Sequence, residues 1–246
     1  MSQQVIAVFG DIHSNLEALT AVLADMEAQS VTQRVCLGDI VGYAASPAKC
    51  LAMVRSLNCP IVQGNHDEAA GAETPLTGMR DLAKAGIEFS RKKLAPEERT
   101  FLKELPRVEK VAGCLFVHAS LHNPGEWGYI TDAPDAAEHF EQQGVNVCFC
   151  GHTHQPRVWS RSDSERPVGR NGQGTITLDR HSRYLINVGS VGQPRDLNAD
   201  ACYVIYDADN NTVEFRRVKY DVTKARRKIS RAKLPKFLGQ RLALGR

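Results

Sequence analysis

The stretch Val5–Asn15, VIAVFGDIHSN, limits most strongly what this chain can become. An apolar run of this length reads as a buried strand. It stops abruptly at Asp11-Ile12-His13. Packing alone rarely ends a strand in two donor side chains one residue apart. The chain then repeats the device: Gly38-Asp39, Gly64-Asn65-His66-Asp67, His118 and Gly151-His152-Thr153-His154 each follow an apolar run. In open α/β sheets, ligands sit beyond the carboxyl ends of the strands. Five such ends therefore predict one shared cavity.

The segments between these ends predict the frame. Val5–Gly10 is a strand. Ser14 with Glu17 has the form of a capping box. The helix it would start, over residues 15–28, buries Leu16, Leu19, Leu23 and Met26. A strand at Arg34–Leu37 follows, then a helix opened by Pro47 and running to about Leu57, with Cys50, Leu51 and Val54 inward. Pro60–Gln63 is a third strand. This βαβαβ order argues a parallel sheet with right-handed crossovers. Residues 68–107 read as mostly helical with a loop at Gly71–Gly78, and Pro96 starts a helix that Leu105-Pro106 ends. Ala112-Gly113 joins Val108–Val111 to Cys114–Val117 as a hairpin. A helix from about Pro134 to Gln143 and a strand at Val145–Cys150 come next. Residues 160–174, polar and Gly-rich, read as a surface loop. Thr175–Leu178, Tyr184–Asn187, Ala201–Tyr206 and Thr212–Arg217 are four more strands, with Asp209-Asn210-Asn211 as a hairpin turn. The expected fold class is α/β: a two-sheet ββ sandwich flanked by helices, βαβαβ in its first half and strand-rich in its second.

Composition narrows the setting. The 246 residues are 42% hydrophobic and 24% charged, enough for one well-buried domain over residues 1–218. No apolar run approaches the ~18 residues of a membrane span, and the N-terminus lacks a signal-peptide pattern. Seven cysteines, several inside apolar runs, read as reduced core thiols of a cytoplasmic protein. Cys148 and Cys150 share a strand face with no further thiols nearby, which favours core over a metal pair. Residues 219–246 carry ten Lys or Arg and one acid, Asp221, a net +9 that leaves the other residues at −6 in a total of +3. That is a weakly acidic body with a basic tail, so no dedicated nucleic-acid surface is evident. The tail places Val222, Ala225, Ile229 and Ala232 at near-helical spacing. Calmodulin-like, membrane or nucleic-acid binding suits such a helix, but the favoured reading docks it on the body by its apolar stripe.

The donor set of the five strand ends is Asp11, His13, Asp39, Asn65, His118, His152 and His154. Mixed O and N ligands without thiolate suit Mn, Fe, Zn, Ni or Co. They are too many for one tetrahedral ion and about right for two ions ~3.5–4 Å apart that share a carboxylate. Any one fragment occurs by chance as a polar turn; all of them, each after a strand, do not.

Asp-x-His, Gly-Asp, Gly-Asn-His-Asp, His and Gly-His-x-His in this order resemble the calcineurin-like metallophosphoesterase family, over roughly residues 5–207. The resemblance implies a ββ sandwich with two divalent transition metal ions, manganese first among the candidates. It implies that Asp11, His13 and His154 hold one ion, that Asn65, His118 and His152 hold the other, and that Asp39 bridges them. His66 would sit over the phosphate and stabilise charge or protonate the leaving oxygen, with Asp67 orienting it. A hydroxide shared by the two ions would attack phosphorus in line, with no covalent phosphoenzyme.

Departures from the pattern indicate the branch. Gly38-Asp39-Ile40-Val41-Gly42-Tyr43-Ala44 lacks the arginine that protein phosphatases and symmetrical dinucleoside-tetraphosphate hydrolases of this superfamily carry there. LGDIVGYAASP, GNHDEAAG, NVGSVGQPRD and the ending LPKFLGQRLALGR resemble the small bacterial phosphodiesterase and phosphatase branch. The expected partner is a phosphate-ester small molecule or nucleotide. Phosphoprotein phosphatase, dinucleoside polyphosphate hydrolase and a catalytically silent metal-binding scaffold are the alternatives. Within 187–195, Arg195 lies near the site or in a plain turn. His122, Trp127 and Tyr129, and likewise Tyr43, stack on substrate or pack on the body. His139 and His181 read as surface residues.

Overall fold

The computed structural model describes residues 4–72, 76–163 and 165–246. In chain order, strand β1 (Val5–Phe9) leads to helix α1 (Leu16–Glu27), β2 (Gln33–Cys36) and α2 (Pro47–Ser56). Helices α3 (Asn65–Gly71), α4 (Asp81–Lys93) and α5 (Pro96–Glu104) follow, then the hairpin β3 (Val108–Val111) and β4 (Cys114–Val117). Helix α6 (Ala133–Gln142) precedes β5 (Val147–Cys150), β6 (Arg157–Ser162), β7 (Val168–Asn171), β8 (Gly174–Thr177) and β9 (Ser182–Asn187). β10 (Ala201–Asp207) and β11 (Thr212–Val218) close the sheets, and α7 (Val222–Arg231) and α8 (Lys236–Leu244) end the chain.

Two mixed sheets form the sandwich, one in the order β2-β1-β10-β11-β8 and the other β3-β4-β5-β9-β6-β7. Period-two alternation decides which side chain goes where. On β1, Ile6 and Val8 enter the apolar layer between the sheets, where Phe116, Phe149, Ile186 and Val204 meet them. Val5, Ala7 and Phe9 point the other way, to Leu19, Val22 and Met26 of α1 and Leu51 and Val54 of α2. On β5, Phe149 faces inward, whereas Cys148 and Cys150 pack outward beside Phe140 of α6. Each β1 side chain is fully or almost fully buried. Truncating Ile6 or Phe9 to Ala would cost ~2–5 kcal/mol.

Several sequence expectations change. The parallel pairing of the first segment is confined to β1 with β2, because β10 takes the other side of β1 antiparallel. Pro60–Gln63 makes only an isolated bridge, Cys36 to Ile61; Pro60 has no N–H, and the chain turns at once into α3. The cap of α1 is Asn15, whose side chain accepts from Ala18 N–H at 3.2 Å. Glu17 leaves the capping box to pair with Lys228 on α7. The polar stretch 160–174 is not a loop: Arg157–Ser162 pairs with both Ser182–Asn187 and Val168–Asn171. The expected loop at Gly71–Gly78 falls partly outside the described residues, as does Ser164 of the 160–174 stretch. His139 is fully buried, because it shares a face of α6 with Ala136 and Phe140. The hairpin at Ala112-Gly113 and the turn at 209–211 stand where the sequence puts them.

The tail docks by its apolar stripe. Ala225 and Ile229 of α7 and Leu238 and Leu242 of α8 are buried in one cluster with Ala44, and half-buried Tyr43 packs on it. No described helix is long and apolar enough to cross a membrane.

Candidate metal centre

The site lies at one end of the sandwich, where β1, β2, β4, β5 and β9 stop. Its backbone is unusual. Fifteen described non-glycine residues have positive φ, and seven of them are here: Asp11, His13, Ser14, Asp39, Tyr43, His152 and His154. Left-handed backbone at such residues costs of order 1–3 kcal/mol each and persists only where the surroundings enforce it. The enforcement is visible. Asp11 N–H donates to Gly38 C=O, His13 N–H to Asp39 C=O, and Ser14 N–H to Ile40 C=O, at 2.8–3.0 Å. These bonds zip the first two loops together. Ser190 Oγ then donates to Asp11 C=O at 2.8 Å, locking on the loop after β9.

Glycines serve the site by proximity as much as by turning. Gly38 has a positive φ, +80°. Gly64 and Gly151 do not; they allow close approach. A Cβ on Gly64 would overlap the Asp39 carboxylate, and one on Gly151 would meet Asp11 Oδ2.

The seven candidate ligands converge. His154 Nε2 is 3.2 Å and His13 Nε2 3.6 Å from Asp11 Oδ1. The two imidazole nitrogens are 3.1 Å apart. On the other side, His118 Nε2 lies 3.2 Å from both Asn65 Oδ1 and His152 Nδ1. Asp39 Oδ2 stands between the groups, 3.5 Å from His13 Nε2 and 3.4 Å from His118 Nε2.

Hydrogen bonds set which nitrogen is free. Nδ1–H of His13 donates to Val41 C=O at 3.1 Å, that of His118 to Leu37 C=O at 2.7 Å, and that of His154 to Gln193 C=O at 2.6 Å. Each ring then presents an Nε2 lone pair to the cavity. Burial pushes the His13 and His154 imidazoles down, His154 to about 3 with help from Arg195. Two neutral rings thus aim lone pairs at each other across 3.1 Å. That contact is repulsive unless a cation lies alongside. Ligand atoms ~2.1 Å from one ion and at right angles stand ~3 Å apart, the spacing seen here. Asp11 Oδ1 and His152 Nε2 are buried without a hydrogen-bond partner. The donor set therefore fits divalent cations.

The carboxylates respond oppositely. Burial and the nearby Asp11 push Asp39 well above the usual range. Asp11 is also penalised by burial, yet His154, His13 and His118 hold it well below.

His66 and Asp67 are placed differently from each other. The His66 ring meets His13 at 4.8 Å and Tyr43 at 4.5 Å between centroids, and its Nδ1 is buried without a partner. Burial, then His13 and His154, push it well below its ordinary value. Asp67 does not bond to it. The Asp67 carboxylate accepts instead from the backbone N–H of Ile40 (2.9 Å), Val41 (3.3 Å) and Gly64 (3.3 Å). It ties together the loops that carry Asp39 and Asn65, and burial, with Asp39, raises it to about 8.

A cavity of about 220 Å³ opens over these groups. Tyr129 lies on its wall, its ring 4.2 Å from that of His152. Trp127 packs edge-on against His118, 5.9 Å between ring centroids, and donates Nε1–H to Glu68 at 3.0 Å, while His122 is exposed near Glu138. Arg195, left open by the sequence, lines the cavity. Arg80 also lines it, and no sequence signal distinguishes this exposed cation before a helix from any other. The Gln193 carbonyl and Ser190 hydroxyl, which fix His154 and Asp11, lie within the Gly-rich stretch 187–195.

Comparison with known proteins places the fold and site in a class. Residues 5–211 match the family described as the calcineurin-like phosphoesterase superfamily domain. The chain belongs to that superfamily and is a metal-dependent hydrolase acting on phosphoric ester bonds. It is 41% identical over 250 residues to the uncharacterized protein MJ0912 of Methanocaldococcus jannaschii, covering all of both chains. The crystal structure of a metallophosphoesterase from Sphaerobacter thermophilus is 35% identical, covers all of both chains and superposes with a TM-score of 0.87. The hypothetical protein PH1004 of Pyrococcus horikoshii shares the fold at 22% identity and a TM-score of 0.79, over 98% of each chain.

Proposed function

We propose that this phosphoesterase works with two divalent ions and hydrolyses esters of small or nucleotide-type phosphates. The observation that carries the reading is Asp39 Oδ2, nearly equidistant from His13 Nε2 and His118 Nε2, each of which heads its own set of donors. Asp11, His13 and His154 would hold one ion, Asn65, His118 and His152 the other, and Asp39 both. The mixed O and N donors suit Mn, Fe, Zn, Ni or Co, and the family resemblance puts manganese first. Bound there, such ions would activate water near neutral pH and offset charge on the phosphoryl oxygens.

The chain's own residues do the rest. Carbonyls of Val41, Leu37 and Gln193 fix three imidazoles in the tautomer that presents Nε2. Asp67 holds the Asp39 and Asn65 loops in register. His66, neutral in the free protein, meets the substrate on the Tyr43 side. An arriving phosphoryl anion raises its proton affinity, which suits it to protonate the leaving oxygen. His13, Asp39 and His66 also place ligand atoms within 4.8 Å of one another, so metal content must decide between acid and ligand.

A cavity of about 220 Å³ suits a compact ester better than a folded phosphoprotein segment. The filled set of donors and the available His66 weigh against a silent scaffold. Reduced cysteines, free in the structure and mostly buried, support a cytoplasmic setting. Residues 1–218 are read as one domain that the tail extends.

The test is hydrolysis of bis(p-nitrophenyl) phosphate and p-nitrophenyl phosphate by metal-stripped protein before and after Mn²⁺. Activity should appear at two equivalents. Silence with every divalent metal on a broad ester panel would leave the scaffold.

A further inference from the structure

Three arginines crowd the mouth of the site from three distant parts of the chain. Arg80 precedes α4, Arg195 follows β9, and Arg241 lies on α8 of the tail. Arg80 and Arg195 line the same cavity as Asp39, His66 and His154. The guanidinium carbons of Arg195 and Arg241 stand 5.8 Å and 5.9 Å from the centroid of one ring, Tyr43. That ring touches both His13 and His66. The position of Arg241 follows from packing: Leu238 and Leu242, one helical turn apart, are buried beside Ala44 and Tyr43 and turn Arg241 toward the ring.

No acidic side chain answers the cluster. Among the described residues no Asp or Glu pairs with any of the three. Arg195 bonds only to neutral oxygens, Gln193 Oε1 at 3.0 Å and Tyr43 OH at 3.5 Å, and its Nε is buried without a partner. Arg241 gives its Nε–H to a main-chain oxygen of the terminal Arg246, and no Asp or Glu side chain pairs with it. Burial, then Arg195, lower Arg241 to about 10, and Arg80 adds to the effect. Guanidinium groups held together without an acidic side chain among them are poised for an anion, and their forked donors match phosphoryl oxygens. The scissile phosphoryl group would already be neutralised at the metal centre. The excess cations lie to one side of it.

We propose that Arg80, Arg195 and Arg241 form a second anion subsite around Tyr43, which binds another phosphoryl group of the same substrate. The basic tail is then part of substrate recognition, and the preferred esters carry at least two phosphoryl groups. This rests on the reading of the site as a phosphoesterase centre.

The test compares methylenediphosphonate with methylphosphonate by titration calorimetry on the full-length protein, metal-loaded and metal-stripped. The ratio of the two affinities isolates the second anionic group. Arg241→Gln should lower that ratio about tenfold or more. Arg227→Gln, the same charge change on the exposed face of α7, should leave it within about twofold. If Arg241→Gln melts too low to titrate, Arg195→Gln decides, with the same expected fall. An unchanged ratio in the deciding variant, or an equal fall in Arg227→Gln, overturns the subsite. Ester hydrolysis with no bisphosphonate preference overturns the subsite alone. Bisphosphonate preference without metal-dependent hydrolysis overturns the proposed function alone.

Discussion

Six histidines of this chain are buried, and they fall into two regions that use burial differently. His139 sits on α6, away from any carboxylate. Its Nδ1 accepts from Leu121 N–H at 3.1 Å, and burial pushes it to about 3. It is a neutral packing residue that fixes the chain just after His118. The other five, His13, His66, His118, His152 and His154, surround two carboxylates at the strand ends. Burial strongly lowers the imidazole of both His139 and His154. A depressed imidazole therefore does not identify a site. What separates the regions is the direction of the lone pairs. His139 points one at an amide, whereas His13 and His154 point theirs at each other and at Asp11.

The predictions probe that contrast. Asp39→Asn should remove both ions, read by elemental analysis, and cut turnover about a thousandfold or more. Retention of one full equivalent with activity would break the pairing of the two donor sets. His66→Asn should keep both ions and lose about a hundredfold in kcat. Loss of metal would move His66 into the ligand set.

Asp67→Asn should weaken metal affinity about tenfold, because the carboxylate positions the ligand loops. If Asp67 instead acts on His66, kcat falls with metal affinity intact.

The smallest effect belongs to His139. Its value in the folded protein, about 3, lies below the ~6.5 of an unfolded chain. Between these values the unfolded chain binds a proton that the folded one does not, so stability falls as pH drops through 6.5 toward 3. By pH 5 the loss is about 2 kcal/mol. His139→Gln has no such proton. Its stability deficit against the unaltered protein, measured by urea melts of metal-stripped samples, should shrink by about that amount between pH 7.5 and pH 5. A constant deficit would mean that His139 is not buried as a neutral group.

The strand ends were legible because a buried run and the donor after it are both local signals. Asp11, His13, Asp39, Asn65, His118, His152 and His154 needed only the sheet to bring them together. Ala136, His139 and Phe140 share a helical face, which is the signal that contradicts the expectation of His139 as a surface residue. Arg157–Ser162 and the edge strand Val168–Asn171 beside it carry half-exposed patterns close to that of a loop. The role of Asp67 depends on three backbone N–H groups that no side-chain pattern encodes. Arg80 and Arg241 reach the site through packing of α4 and the tail, and nothing local to either residue indicates it.

If Asp39 joins two metal-binding halves, crystals of the full-length protein grown with Mn²⁺ and measured at the manganese absorption edge will show two anomalous peaks ~3.5–4 Å apart, both within coordination distance of the Asp39 carboxylate. A single peak, or two peaks of which only one touches Asp39, would contradict it.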